Sequence, residues 1–183
     1  MRQFHGIEIN EWPAKVASTA MLLVDHLCNQ SFGQSAVRLP IEETPEIKTA
    51  NALRIDWADV IAPDDCDYII GNPPFVGSSR LDEDQKEDRT KVFGRNGGKL
   101  DFVACWHRTA AEFLNGHGGD IAFVSTNSIC QGQQVTPLWQ PIFEMGYHIN
   151  FAHRSFVWNS ESDHVAHVVC IITSFSQSEW EYK

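Results

Sequence analysis

The chain has 183 residues, 43% of them hydrophobic and 21% charged, enough for one domain that buries roughly two thirds of its unfolded surface and outside the composition range of disordered chains. Its formal net charge of -10, from 24 acidic against 14 basic side chains, repels a phosphate backbone, so a nucleic-acid substrate would need most of its grip from another segment. No apolar run is long enough to span a bilayer, and the N-terminus lacks the charged-then-apolar order of a signal peptide, which points to a cytoplasmic protein without a membrane partner.

In chain order, Phe4 to Ile9 is a short apolar run carrying the acid Glu8, followed by Asn10 as an N-cap and Pro13 in a first helical turn, so a strand passes into a helix. Val16, Ala17, Ala20, Met21, Val24 and Leu27 recur at spacings of three and four, an apolar face expected to pack on one side of a helix ending near Asn29 or Gly33. After an acidic loop with prolines, Ile47 to Ile55 reads as a second strand and Asp67 to Gly71 as a compact third, bounded by Asn-Pro. Ser78 to Lys99, rich in charge and glycine, reads as a mobile loop beside the site. The acids at 42–46, 56–67 and 82–88 read for the most part as solvated surface.

Leu100 to Leu114 is the next helix, with Phe102, Val103, Trp106, Ala110, Phe113 and Leu114 on its apolar side, and Gly118 and Gly119 punctuate it. Ile121 to Ser125 is a fourth strand, Val135 to Met145 a helix with Pro137 near its start, and Tyr147 to His153 and His164 to Phe175 two final strands. The alternation of strand and helix predicts a parallel sheet covered by helices on both faces, with residues 1–183 as one domain.

Five cysteines at 28, 66, 105, 130 and 170 include no CxxC spacing and form an odd set, so they read as reduced and mostly buried, not as a disulfide framework or zinc knuckle. His164 and His167 point to opposite faces of a strand and do not form a chelating pair, so no metal is expected.

The chemistry resides in Asn72, Pro73, Pro74 and Phe75, directly after the third strand. By background composition this tetrapeptide arises by chance on the order of once in a thousand chains of this length, and the carboxyl end of a strand is where open α/β sheets bind ligands. An exocyclic adenine amine is a poor nucleophile because its lone pair is delocalised into the ring. Activating it requires acceptors that hold its two protons out of the ring plane. Asn72 offers a side-chain oxygen, and Pro73 a carbonyl followed by Pro74, which has no competing donor. Phe75 offers a flat face for a base rotated out of its duplex. A turn that merely ends a strand is the plainer alternative for these residues.

This motif, together with "FHGIEINEWPAKVA", "NALRIDW", "DYIIGNPPFVGSS", "KLDFVACWHRTAAEFL" and "GGDIAFVSTNSICQG", resembles the gamma-class N6-adenine DNA methyltransferases, and most of all the methyltransferase part of single-chain restriction-modification enzymes of the MmeI kind. The resemblance covers nearly the whole chain. It implies a class I S-adenosylmethionine-dependent methyltransferase fold, a Rossmann-like α/β sandwich with a mostly parallel sheet in the strand order third, second, first, fourth, fifth, seventh, sixth. It implies that Glu8, with Ile9 beside it, holds the ribose hydroxyls of S-adenosylmethionine, that Asn51 and Ala52 lie beside the cofactor adenine, and that Asn72 to Phe75 hold the target base. Members usually carry an acid where Asn51 stands. Asp101 matches an acid common near the cofactor, and helix capping explains it equally. An aromatic between the last two strands is expected to stack on the other face of the base, and Phe156 and Trp158 both sit in that stretch.

The family's glycine-rich loop after the first strand should lie before Phe4, and no GxG occurs at a suitable place. The sequence therefore reads as a partial methyltransferase domain lacking its central first strand, to be completed by a longer chain or a complementing N-terminal segment, with double-stranded DNA bound through a recognition domain expected after the last strand. A methyltransferase of RNA or protein glutamine, or a non-catalytic remnant, stays open as an alternative.

Overall fold

The computed structural model describes residues 3–33, 45–158 and 168–178. Two compact units form, Met1–Ala62 and Pro63–Lys183.

In the first unit, strand β1 (His5–Glu8) pairs in parallel with β2 (Glu46–Thr49), residue for residue from His5 opposite Glu46 to Glu8 opposite Thr49. Helix α1 (Glu11–Ser31) connects them, the crossover that parallel pairing demands. Asn10 stands at its N-cap in extended conformation, and Pro13 falls in the first turn, where a missing N–H costs nothing. Ala14 is buried, but Val16, Val24 and Leu27 are exposed, as are Trp12 at 74% and Phe32 at 83%. The face that the spacing predicts to pack is thus mostly exposed, with Ala17 and Met21 half-buried.

The predicted strand over 47–55 stops at Thr49. Asn51 Oδ1 accepts from the Leu53 amide at 2.9 Å, and the Asn51 carbonyl accepts from the Arg54 amide at 2.9 Å. This side-chain turn offers the backbone an alternative to the ladder. Asp56 then caps a 3-10 turn (Trp57–Asp59) through the Ala58 amide. Trp57 is buried, with its indole N–H donating to the Ala52 carbonyl at 2.8 Å.

The second unit has a four-stranded sheet in the order β3 (Tyr68–Gly71), β4 (Asp120–Thr126), β6 (Val168–Ser176), β5 (His148–Trp158). β3 and β4 are parallel, and β6 runs antiparallel to both of its neighbours. Among the described residues the strands thus form two sheets, the larger one mixed. Helices α3 (Ala104–Phe113) and α4 (Val135–Glu144) pack with β4 and β6 around Leu114, Ile121, Phe123, Leu138, Ile142 and Phe175, all essentially inaccessible to solvent. Alternate residues of β4, Ile121, Phe123 and Ser125, face this core, as a period of two requires. At the entry to β4, Gly119 has φ +89°, and a Cβ there would lie 2.7 Å from the Cys66 carbonyl oxygen. Only glycine meets both demands.

The segment read as a mobile loop, 78–99, instead holds helix α2 (Glu83–Phe93) and a 3-10 turn over Gly94–Gly97. A capping box starts α2: the Asp82 side chain accepts from the Gln85 amide and the Gln85 side chain accepts from the Asp82 amide. Asp88, among the acids read mainly as solvated, is buried, as is Arg89 beside it, and Arg89 Nη1 donates to the Leu100 carbonyl at 3.0 Å. Of the cysteines, Cys105 and Cys170 are buried, Cys66 is half-buried, and Cys28 and Cys130 are exposed, so the expectation that most are buried is corrected. His164 and His167 lie outside the described residues. No helix among the described residues is long and apolar enough to cross a membrane.

Candidate functional site

The tetrapeptide Asn72 to Phe75 leaves the carboxyl end of β3, whose last residue, Gly71, pairs with Phe123 of β4. A Cβ at position 71 would approach the Phe123 ring to 3.1 Å, so glycine lets the turn start close against the core. Pro73 is buried, Asn72 and Pro74 are exposed and Phe75 is half-buried. The first proline anchors the turn while the Asn72 amide reaches solvent.

Neither proline has an N–H to donate, so the turn is held by the residues on its C-terminal side. The Val76 amide donates to the Pro74 carbonyl at 3.2 Å, and the Val76 carbonyl accepts from the Phe102 amide at 2.9 Å. Asp101 Oδ1 accepts from the Ser78 amide at 2.8 Å, and Asp101 Oδ2 accepts from Ser128 Oγ at 2.6 Å. Thr126, the last residue of β4, lies 2.7 Å from Ser128 Oγ through its own hydroxyl. The Asp101 amide donates to Gln134 Oε1 at 3.0 Å. The α3 helix opens on backbone bonds, with no side-chain cap at Val103. Capping is therefore not what the Asp101 carboxylate does.

β5 runs parallel to β4, since both are antiparallel to β6. The ends of β3, β4 and β5 thus lie at one edge of the sheet. Cys170 pairs with Thr126 on one side and Phe156 on the other, which sets Phe156 level with the end of β4. Phe156 is half-buried, beside a register shift after His153, and its ring meets the His153 ring edge-on at 5.9 Å. The β3 and β5 backbones are three strand spacings apart, about 14 Å. The Trp158 backbone pairs with Val168, and its side chain lies outside the described residues.

Behind this edge the His107 imidazole is buried among Phe123, Trp139 and Phe175. Burial lowers its pKa from 6.5 to about 4, so it is neutral at pH 7.

In the first unit, Glu8, Asn51 and Ala52 gather at the carboxyl ends of β1 and β2. Glu8 pairs with Thr49, and its carbonyl accepts from the Ala50 amide at 2.9 Å. Glu8 Oε1 accepts from the Asn10 amide at 3.0 Å, which orients the carboxylate at the strand end. Ile9 is exposed at 61%. Asn51 turns its Oδ1 inward to Leu53, and the Ala52 carbonyl is taken by Trp57. The links from Asp101 to Ser78, Ser128 and Gln134 escape sequence reasoning because their partners stand 23 to 33 positions away.

The chain matches, over residues 1–183, the family described as the DNA-methyltransferase domain of MmeI. It is 35% identical to "DNA methyltransferase A" of Bacillus subtilis (strain 168), across 96% of this chain and 21% of that protein. It is similar to the solved structure of the Type IIL restriction-modification enzyme MmeI in complex with DNA, with 45% identity and a TM-score of 0.90 over 98% of this chain and 25% of that one. The chain thus spans about a fifth to a quarter of the length of these relatives.

Proposed function

The chain belongs to the family of the MmeI DNA-methyltransferase domain, and on that premise we propose that it carries the methyl-transfer site of a restriction-modification enzyme, acting on adenine N6 in double-stranded DNA with S-adenosylmethionine as methyl donor. The observation that carries the reading is Asn72-Pro73-Pro74-Phe75 at the carboxyl end of β3, with Asn72 exposed, Pro73 buried and the turn locked from behind. In a class I methyltransferase sheet, removing the first strand from the usual order leaves the runs third-second and fourth-fifth-seventh-sixth. Taken each by itself, β2-β1 and β3-β4-β6-β5 have those internal orders, which supports that fold.

The residues present fit the donor. A carboxylate oriented at a strand end, Glu8, suits paired ribose hydroxyls, and the exposed Ile9 beside it suits a flat apolar ring. When bound, S-adenosylmethionine supplies a methyl group activated by a sulfonium. Asn72 Oδ1 and the Pro73 carbonyl accept the two amine protons and localise the nitrogen lone pair. Phe75 stacks on one face of the extruded base, and an aromatic near the end of β5, Phe156 or Trp158, on the other. Acceptors fixed in advance and a held geometry provide the acceleration. The formal charge of -10 assigns the grip on DNA to segments beyond these residues.

The test is to incubate the intact gene product with S-adenosylmethionine labelled in its methyl group and, separately, duplex DNA, RNA and a glutamine-containing protein, and to digest the products. Label in N6-methyladenine from DNA is the expected result. Label on cytosine, on RNA or on protein, or none at all, overturns the reading.

A further inference from the structure

We propose that Asp101 is a positioning residue for the Asn72–Phe75 turn: it sets the turn through the Ser78 amide and the Ser128 hydroxyl and acts without touching either the cofactor or the base. The inference rests on the proposed adenine-methylating role of the turn. Two successive prolines leave residues 73 and 74 without backbone donors, and upstream the chain is tied by the β3–β4 ladder as far as Gly71. Downstream, 76–78 is stitched to 101–102 at two points, Phe102 N–H to the Val76 carbonyl at 2.9 Å and Ser78 N–H to Asp101 Oδ1 at 2.8 Å.

Asp101 is in turn fixed by Ser128 Oγ on its second oxygen at 2.6 Å and by Gln134 Oε1 on its amide at 3.0 Å. Ser128 donates its one proton to Asp101, so the hydroxyl of Thr126, 2.7 Å away at the end of β4, donates to Ser128. The turn exit is thereby tied to the end of the neighbouring strand by charge-assisted bonds, the stronger kind. With an oxygen engaged on each side, the carboxylate is built into the scaffold as a bracket for the turn and not presented as a ligand.

The experiment compares Asp101→Ala, Asp101→Asn and Ser128→Ala in the intact gene product by three measurements: single-turnover methylation of duplex DNA at saturating S-adenosylmethionine, the S-adenosylmethionine dissociation constant, and hydrogen exchange of residues 75–81. Asp101→Ala should slow methyl transfer about a hundredfold, the cost of a small misplacement of reacting groups, and leave cofactor affinity within about threefold. Exchange in 75–81 should accelerate by on the order of tenfold, since an amide loses its acceptor, while α3 and β4 keep their protection. Asp101→Asn keeps an acceptor for the Ser78 amide and should recover most of the rate.

A cofactor dissociation constant that rises in step with the lost rate would make Asp101 a cofactor ligand and overturn the proposal. Unchanged exchange in Asp101→Ala would also overturn it. If Asp101→Ala does not fold, Ser128→Ala removes one arm of the bracket and should show the same pattern at smaller size; wild-type exchange there counts against the proposal. Should the wild-type protein not methylate adenine in DNA, the functional reading fails, while the exchange data still decide whether Asp101 holds the turn.

Discussion

The His107 imidazole lies nearly parallel to the Phe175 ring, with centroids 5.9 Å apart and planes 10° off parallel. Its Nδ1 is 3.1 Å from the Val103 carbonyl and its Nε2 3.3 Å from Ser125 Oγ. A donor at Nδ1 and an acceptor at Nε2 describe the neutral ring, and its burial removes the water that would solvate a charge.

This gives the second unit an acid limit. Burial lowers the folded-state pKa of His107 from 6.5 to about 4, so the unfolded chain takes up its proton first as pH falls. The stabilisation is whole above pH 6.5 and drains away between 6.5 and about 4, by on the order of 3 kcal/mol. Urea unfolding at several pH values across that window should show the decline in wild type and a shallower one in His107→Gln. Parallel curves for the two proteins would mean that the ring titrates normally.

Asn72→Ala in the intact protein should cut methyl transfer to DNA on the order of a hundredfold or more, because one pre-oriented acceptor is lost. S-adenosylmethionine binding should change little. Near-wild-type transfer would remove Asn72 from the chemistry.

Phe156→Ala or Trp158→Ala should weaken the hold on an extruded base, a stack of one base on one ring being worth about 1 to 3 kcal/mol. Phe156 is level with the end of β4, on the edge that carries the motif. Fluorescence of 2-aminopurine at the target position reads this directly. An unaltered signal in both variants means that neither ring stacks there.

Gly119→Ala should destabilise the second unit by more than 1 kcal/mol, roughly, since the residue combines φ +89° with a Cβ position 2.7 Å from the Cys66 carbonyl oxygen. Gly98→Ala, at a site with φ −57° and nothing near the new methyl group, serves as the control. Equal melting temperatures for the two variants would contradict this account.

The parts legible in the sequence are those whose cause is local. The apolar run before Asn72 forms β3, the run after Gly119 forms β4, and the three-and-four spacing from Phe102 to Leu114 marks α3, although the helix proper starts at Ala104. Helix α2 has no apolar stripe to announce it. It is specified by the Asp82–Gln85 box and by burial of Asp88 and Arg89, which no charge count reveals. The second strand ends early because one side chain, Asn51, folds back on Leu53. Strand direction and partnership, such as β6 antiparallel between β4 and β5, depend on residues far apart in the chain. The Asn72–Phe75 motif stands out in the sequence, but the bonds from Asp101 to Ser78 and Ser128 do not, for the same reason.

The division at residue 62 bears on how the protein comes apart. Ala14, Leu53, Trp57 and Val60 make up most of the buried apolar set of the first unit, whereas the second holds a layered aromatic and aliphatic interior. An interior so small holds its backbone amides less firmly against local opening. Hydrogen exchange of the 183-residue chain should therefore be faster in β1 and β2 than in β4 and β6. Any small molecule grasped by the Glu8 carboxylate should slow exchange in β1, by an amount that grows with the logarithm of its concentration.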